Sequence, residues 1–119
     1  MGESVARIGD PVIAINIAGT YRPGINARDL YNCTRGTWRL SRRRASTARY
    51  AFSVYRGVIR EVYEVDEWVP AGTTPESYGP SPGRYEFVGR VAEDEVRDKY
   101  VGKRLLELHG QNPIRYFNC

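Results

Sequence analysis

The feature that most constrains the fold is a pair of β-rich segments separated by only two residues. Tyr50–Tyr55 and Val58–Val65 both alternate and are rich in β-branched and aromatic residues, and Arg56-Gly57 joins them. This pattern predicts a β-hairpin whose glycine takes the positive φ of a tight turn. Because strand side chains alternate between faces, we expect Phe52 and Val54 to point inward and their neighbours to point the other way.

Three further segments have the composition of strands. Pro11–Ala18 is apolar and β-branched, with every second residue an isoleucine, which predicts a central strand with one isoleucine face. Arg84–Val91 predicts a strand with Tyr85, Phe87 and Val91 on one face, and Ile114–Asn118 predicts a closing strand.

Two short helices are expected between the strands. Asn26 is a plausible N-cap for a helix over Ala27–Thr34 that Gly36 closes. Glu93–Val101 has acids in its first turn and cations near its end, with Gly102 as its cap. The order β, α, β, β, loop, β, α, β predicts an α+β fold with a curled, mostly antiparallel sheet or pseudo-barrel and short flanking helices.

The length of the chain predicts a single domain over residues 1–119. Residues 69–83 contain four prolines and three glycines, which indicates a surface loop rather than a domain linker. No window approaches the roughly 20 apolar residues that span a bilayer, and the N-terminus lacks the pattern of a signal peptide. We therefore expect no membrane association and a cytoplasmic location.

Charge is distributed unevenly along the chain. Ten acids lie between Glu61 and Asp98, whereas the span from Thr34 to Arg60 has no acid and eight arginines: Arg35, Arg39, Arg42, Arg43, Arg44, Arg49, Arg56 and Arg60. Trp38, Tyr50, Phe52 and Tyr55 lie among them. Guanidinium groups pair with phosphates and aromatic rings stack on bases, so this run predicts a nucleic-acid-binding module. In the alternative, the arginines solvate a mobile loop and pair with nearby acids.

Catalysis is the competing interpretation. Cys33, Cys119 and His109 form at most an incomplete zinc set, so we expect neither a metal nor a cofactor. His109 has no local nucleophile motif, and Glu64 and Asp66 share a strand face opposite Glu61. An enzyme such as a small nuclease with an unfamiliar site remains an alternative, as does a module that binds a nucleotide or an acidic protein.

The sequence patterns also carry a resemblance. GTWRL after the first helix, the hairpin YAFSVYRGVIREVYEV, the late strand RYEFVGRVA and the ending YVGK resemble the PUA-like superfamily, which includes the ASCH, EVE and SRA domains. The chain is also similar to an uncharacterised prokaryotic family that shares TRGTWR, RYAFSVYRGVIREVYEV, RYEFVGRV and QNPIRY. The superfamily resemblance implies a small curled-sheet module that binds RNA or reads modified DNA bases, often beside a nuclease in restriction systems.

The resemblance and the arginine run together suggest a pocket for a modified or flipped base, with DNA favoured over RNA as the partner. Trp38 is the leading candidate for stacking, although tryptophan serves core packing equally well. Second candidates for the pocket are Tyr31, Tyr21 and Trp68. Arg42, Arg43 and Arg44 are expected at phosphates and Arg35 and Arg49 near base edges, and Arg39 is a further residue expected to bind nucleic acid. Asn32 or Asn118 is a further candidate for reading a base edge.

Overall fold

The computed structural model describes residues 4–75, 77, 79–105 and 112–119. Helices and strands of this part follow in chain order as β1 (Val12–Asn16), α1 (Ala27–Arg35), β2 (Gly36–Trp38), α2 (Arg42–Ala45), β3 (Tyr50–Tyr55), β4 (Val58–Pro70), β5 (Tyr85–Val91), α3 (Asp94–Tyr100) and β6 (Ile114–Phe117). No helix within these residues is long and apolar enough to cross a membrane.

The strands form one curled, half-barrel sheet in the order β2-β5-β4-β3-β1-β6. The β1–β3 pair is parallel, and the other pairs are antiparallel. The predicted α+β class with a mostly antiparallel, curled sheet and short helices is therefore confirmed. The two edge strands of the sheet, β2 and β6, approach one another. Trp38 at the end of β2 pairs with β5, and three residues later Ser41 donates its N–H to the Tyr116 hydroxyl on β6 at 2.7 Å. Because three residues of chain span at most about 10 Å, the end of β2 must lie close to β6.

The predicted hairpin is confirmed. Arg56 and Gly57 have φ values of 51° and 74°, which is the pattern of a type I′ turn. β4 continues past the predicted end to Pro70, because after leaving β3 it stays paired with β5. Phe52 and Val54 are buried as predicted, but Ala51 and Ser53 on the opposite face are also fully buried. β3 is thus covered on both faces.

Two apolar layers cover these faces. One layer, under α1, contains the isoleucine face of β1 together with Ala51, Tyr63 and Phe87. The other, on the side of α3, contains Phe52, whose ring centroid lies 4.8 Å from that of Tyr100. Because α1 rests on the first layer, its outer face is available to form the wall of a pocket.

The first helix begins where the sequence predicts. Asn26 accepts a hydrogen bond from the Asp29 N–H at 2.8 Å, which confirms the N-cap. Gly36 does not close the helix as a left-handed cap, because its φ of −171° is extended backbone. A side chain there would place Cβ 2.6 Å from the Cβ of Glu86, so close packing explains the glycine. Gly102, with φ of 85°, does follow α3 as predicted.

Other boundaries differ modestly. β2 and α2 were not predicted, since they have only three and four residues and show no periodicity. The loop begins at Ala71 rather than Val69. Val91 was predicted to share the buried face of β5 but is 46% exposed at the strand end. His109 and the predicted turn at 110 and 111 lie outside the described residues.

Candidate nucleic-acid interface

The fold divides the eight arginines of the basic run among three places. Arg35 is buried at the end of α1. Arg56 lies in the hairpin turn, and Arg60 lies near the start of β4, where its guanidinium donates to the Tyr55 carbonyl. Between these, five exposed arginines precede β3 or belong to α2, and we call them the basic segment: Arg39, Arg42, Arg43, Arg44 and Arg49.

The basic segment has no acidic partner among the described residues. The exposed carboxylates that form ion pairs there do so with Arg22, Arg90 and Arg97 instead. The Arg97 pair is the tightest, with Nε 2.7 Å from the Glu61 Oε1, and the hydrogen bond to Glu61 raises the pKa of Arg97. Glu61, Glu64 and Asp66 therefore pair with arginines outside the basic segment, and the positive charge of the basic segment is left open to solvent.

Arg44 is held in place by contacts with Tyr116 and Cys119. Its guanidinium lies 3.9 Å from the ring centroid of Tyr116, and its Nε and Nη2 donate to the Cys119 carbonyl oxygen at 3.0 and 2.9 Å. These contacts make Arg44 a positioned cation on the surface.

A hollow of about 210 Å³ separates α2 from the loop after β4. Arg42 and Arg84 both line it, together with Ser81 and Tyr85, and no carboxylate does so among the described residues. Arg84 is anchored by its Nη1, which donates to the Thr37 carbonyl at 3.3 Å. Two guanidinium groups in a hollow that hydroxyl-bearing residues also line suit an anion such as a phosphate.

A second cavity, of about 300 Å³, lies against α1, and we call it the α1 pocket. Its lining residues are Arg28, Tyr31, Asn32, Arg35, Thr74 and Val88. The four residues from α1 are spaced i, i+3, i+4 and i+7, so they form one stripe along the helix. Sequence reasoning singled out three of them, but it missed Arg28, although this spacing was visible in the sequence.

The polar groups of the α1 pocket differ in how many hydrogen bonds they already make within the protein. The Tyr31 hydroxyl accepts the Gly89 N–H at 3.1 Å and keeps its own proton free to donate. The Asn32 amide and the Arg28 guanidinium make no hydrogen bond or ion pair with the described residues. The pocket therefore offers one aromatic ring, one free amide and one free cation.

Arg35 forms the floor of this pocket through a buried ion pair. Its Nη2 lies 3.1 Å from the Glu86 Oε2, and the two side chains are 4% and 0% exposed. Arg35 also contacts the Thr74 hydroxyl, and its Cζ lies 5.8 Å from the Tyr31 ring centroid. The guanidinium is thus committed to Glu86 and orients its neighbours rather than standing free for a ligand.

Glu86 also ties down the loop that borders the pocket. Its oxygens accept the N–H groups of Gly72 and Thr74 at 3.0 Å each. Burial pushes the pKa of Glu86 upward, but the Thr74 hydroxyl, the two N–H groups and Arg35 outweigh burial and lower the pKa overall. The carboxylate stays ionised and holds the loop against α1.

The two tryptophans lie elsewhere. The Trp38 indole is half-buried against the core, and its Nε1 donates to the Thr34 carbonyl at 2.8 Å, away from the lining of the α1 pocket. Trp68 is 5% exposed and packs edge-on against Phe87, with ring centroids 5.2 Å apart. Both indoles therefore contribute to packing, and Tyr31 is the predicted aromatic residue that the fold brings to the α1 pocket.

The remaining candidates are dispersed. Tyr21 lies at the hairpin end, with its ring centroid 4.5 Å from that of Tyr55. The Asn118 amide donates to the carbonyls of Ile8 and Asp10 and thus satisfies backbone groups. Arg49 lies 5.2 Å from the Tyr50 ring centroid.

The groups considered for catalysis do not converge within the described residues. No three His, Cys, Asp or Glu residues there could hold a metal ion together. Glu64 and Asp66 both face Arg90, whereas Glu61 faces Arg97. Cys119 is half-buried, and burial raises the pKa of its thiol.

No family model, curated protein or solved structure matches this chain.

Proposed function

We propose that this protein binds nucleic acid, with DNA favoured, through the basic segment, and that the α1 pocket receives a base taken out of its stack. One observation carries the proposal: in the described part of the chain, the five arginines of the basic segment have no Asp or Glu partner, while Asp29, Glu61, Glu64 and Asp66 pair with other arginines. Unpaired guanidinium groups supply the phosphate contacts that dominate affinity for nucleic acid.

The α1 pocket supports the base-reading part of the proposal. Its volume of about 300 Å³ lies at the small end of the range for ligand sites. Asn32 supplies a donor and an acceptor side by side, which is what the edge of a base requires. Tyr31, one side of which packs against Tyr63 and Phe87, supplies the aromatic contact. Arg28 at the exposed rim supplies a contact for the adjoining phosphate.

Kinship with the PUA-like superfamily is part of the same proposal. The curled mixed sheet with short helices supports it at the level of architecture. In its most specific form, the proposal is that the protein reads a modified base and acts together with a partner nuclease, as in restriction systems.

Salt dependence tests the phosphate contacts. If all five arginines of the basic segment meet phosphates, the logarithm of duplex affinity falls with the logarithm of salt at a slope of about −4.5. Affinity, measured by fluorescence anisotropy with a labelled duplex, should then fall about 500-fold between 50 and 200 mM salt. The double variant Arg42→Gln/Arg43→Gln should flatten the slope to about −2.7, a fall of about 40-fold.

The matched control removes two positive charges that are already paired. Arg22→Gln/Arg90→Gln changes the net charge equally, but Arg22 and Arg90 lie beside Asp29 and Asp66. We expect its slope to stay near that of the unmodified protein. Absence of binding at 50 mM salt, or equal slopes for the two double variants, would refute the proposal.

Base reading is tested separately with duplexes that carry cytosine, methylcytosine or hydroxymethylcytosine at one position. If the α1 pocket reads the base, Asn32→Ala removes the preference among the duplexes and keeps the salt slope. Trp38→Ala should retain the preference, provided that the variant is shown to be folded. A preference lost with Trp38→Ala and kept with Asn32→Ala would assign the reading to Trp38 instead.

A further inference from the structure

The hairpin end of the sheet holds a second cavity that nucleic-acid binding does not use. It has a volume of about 310 Å³ and lies where the turn before α1 meets the start of β4 and the end of α3. Its lining includes Tyr21, Ile25, Val58, Arg60 and Val101. We call it the hairpin-end pocket.

The walls of the hairpin-end pocket are mostly apolar. Ile25, Val58 and Val101 are half-buried, and the fully buried Ile59 also lines the cavity. Among the described residues no carboxylate lines it, so Arg60 is its one charged group there. An apolar cavity with one placed polar group is the usual form of a site for a small ligand.

Arg60 is oriented before any ligand arrives. Its Nη2 donates to the Tyr55 carbonyl at 3.2 Å, and its Cζ lies 5.4 Å from the Tyr21 ring centroid and 5.5 Å from that of Tyr55. Its Nε is buried and has no hydrogen-bond partner in the part of the chain that the structure describes. Because no Asp or Glu of the described residues pairs with this half-buried guanidinium, its accessible N–H groups favour the arrival of an anion.

The aromatic rings do not offer a stacking platform here. The Tyr21 ring packs against Tyr55 and against the Arg60 guanidinium, so it is already occupied by neighbours. A flat nucleobase is therefore less suited to this cavity than a branched aliphatic group lying against Ile25, Val58 and Val101.

From these observations we propose that the hairpin-end pocket binds a monoanion with a short aliphatic body, its carboxylate on Arg60 and its aliphatic part against the apolar walls. Two sources share this chemistry: a free aliphatic carboxylate, and the carboxyl terminus of a peptide that ends in an aliphatic residue. This site is independent of the basic segment and of the α1 pocket.

Titration of ¹⁵N-labelled protein with sodium isocaproate tests the proposal. We expect shifts of the Gly24 and Gly102 amides and of the Arg60 Nε–H, because all three residues line the cavity. Isocaproamide has nearly the same shape without the charge and should bind at least about tenfold more weakly, as expected for loss of a charge-assisted hydrogen bond. Acetyl-Gly-Gly-Leu and its C-terminal amide distinguish the two sources. If the peptide acid binds more tightly than isocaproate, the ligand is a peptide terminus. If the peptide acid binds more weakly than isocaproate, the ligand is a free carboxylate.

Two variants complete the test. Arg60→Gln should weaken isocaproate binding at least about tenfold, whereas Arg56→Gln, which removes a neighbouring arginine outside the lining, should not. Val101→Phe keeps Arg60 and fills part of the cavity, so it should also weaken binding and serves if Arg60→Gln does not fold. Equal binding of isocaproate and its amide, no shifts up to the solubility limit, or unchanged affinity in Val101→Phe would overturn the proposal. Duplex affinity of Arg60→Gln should be unaltered, so failure here is separable from failure of nucleic-acid binding.

Discussion

Removing Glu86 should be among the most damaging single changes in this protein. Glu86→Leu leaves the Arg35 guanidinium, which is 4% exposed, without its carboxylate. The N–H groups of Gly72 and Thr74 lose their acceptors at the same time. Breaking a buried ion pair on one side costs about 3–5 kcal/mol, a large part of the roughly 5–15 kcal/mol that stabilises a domain.

Urea unfolding followed by circular dichroism at pH 7 measures this cost, and a double-mutant cycle identifies its cause. Arg35→Met/Glu86→Leu removes both charges, so we expect it to be more stable than Glu86→Leu alone despite carrying one more substitution. A cost below about 1 kcal/mol for Glu86→Leu, or a double variant whose cost equals the sum of the single costs, would refute the reasoning.

The same carboxylate makes stability depend on pH. The folded pKa of Glu86 is lowered, so its contribution is fully present above the unfolded pKa of about 4.3 and is lost as pH falls through the folded value. Unfolding free energy should therefore decline more steeply below about pH 4 in the unmodified protein than in Glu86→Gln. Parallel declines in the two proteins would contradict this assignment.

Three other predictions concern the core. Gly89→Ala should cost about 1–3 kcal/mol in urea unfolding, because the new Cβ would lie 2.2 Å from the Glu64 carbonyl oxygen; a cost near zero would contradict this. Burial and the hydrogen bond to Asp10 raise the pKa of Tyr100 to about 12. The free energy of unfolding should therefore fall between about pH 10 and 12, and it should fall less in Tyr100→Phe; equal falls in the two proteins would contradict this prediction. Thr34→Val should lower stability by about 1–3 kcal/mol, because it leaves the buried Ser53 hydroxyl, 2.7 Å from the Thr34 Oγ1, without that partner; an unchanged urea midpoint would refute this.

The sequence was most informative where local chemistry determines structure. Arg56-Gly57 specifies the hairpin turn, and Asn26 specifies the start of α1, since both act through their own backbone or one nearby N–H. β2 could not be predicted in this way, because its pairing with β5 joins residues far apart in the sequence. Gly36 shows the same limit: its glycine is required by Glu86, fifty residues away, and not by the helix that it follows.

The site was predicted by residue type more successfully than by location. The aromatic and arginine composition drew attention to Tyr31 and Arg35, which the fold does place in one pocket. Trp38 was an equally good candidate by residue type, but its indole donates to the Thr34 carbonyl and packs on the core. Whether an indole packs on the core or lines a pocket depends on tertiary contacts, which the sequence alone does not show. Arg84 was missed because it lies in the acidic half of the chain and meets Arg42 only through folding.

The division of the arginine run decides how its charges act. β3 separates the basic segment from Arg56, and its six residues span about 17–20 Å. Screening at physiological salt falls off over about 8 Å, so exposed charges at the two ends of the strand act almost independently. A polyanion held by the basic segment therefore gains little from the hairpin end. Neutralising Arg56 should leave the salt slope of duplex binding unchanged, and a slope reduced as much as by Arg43→Gln would mean that the two ends share one binding surface.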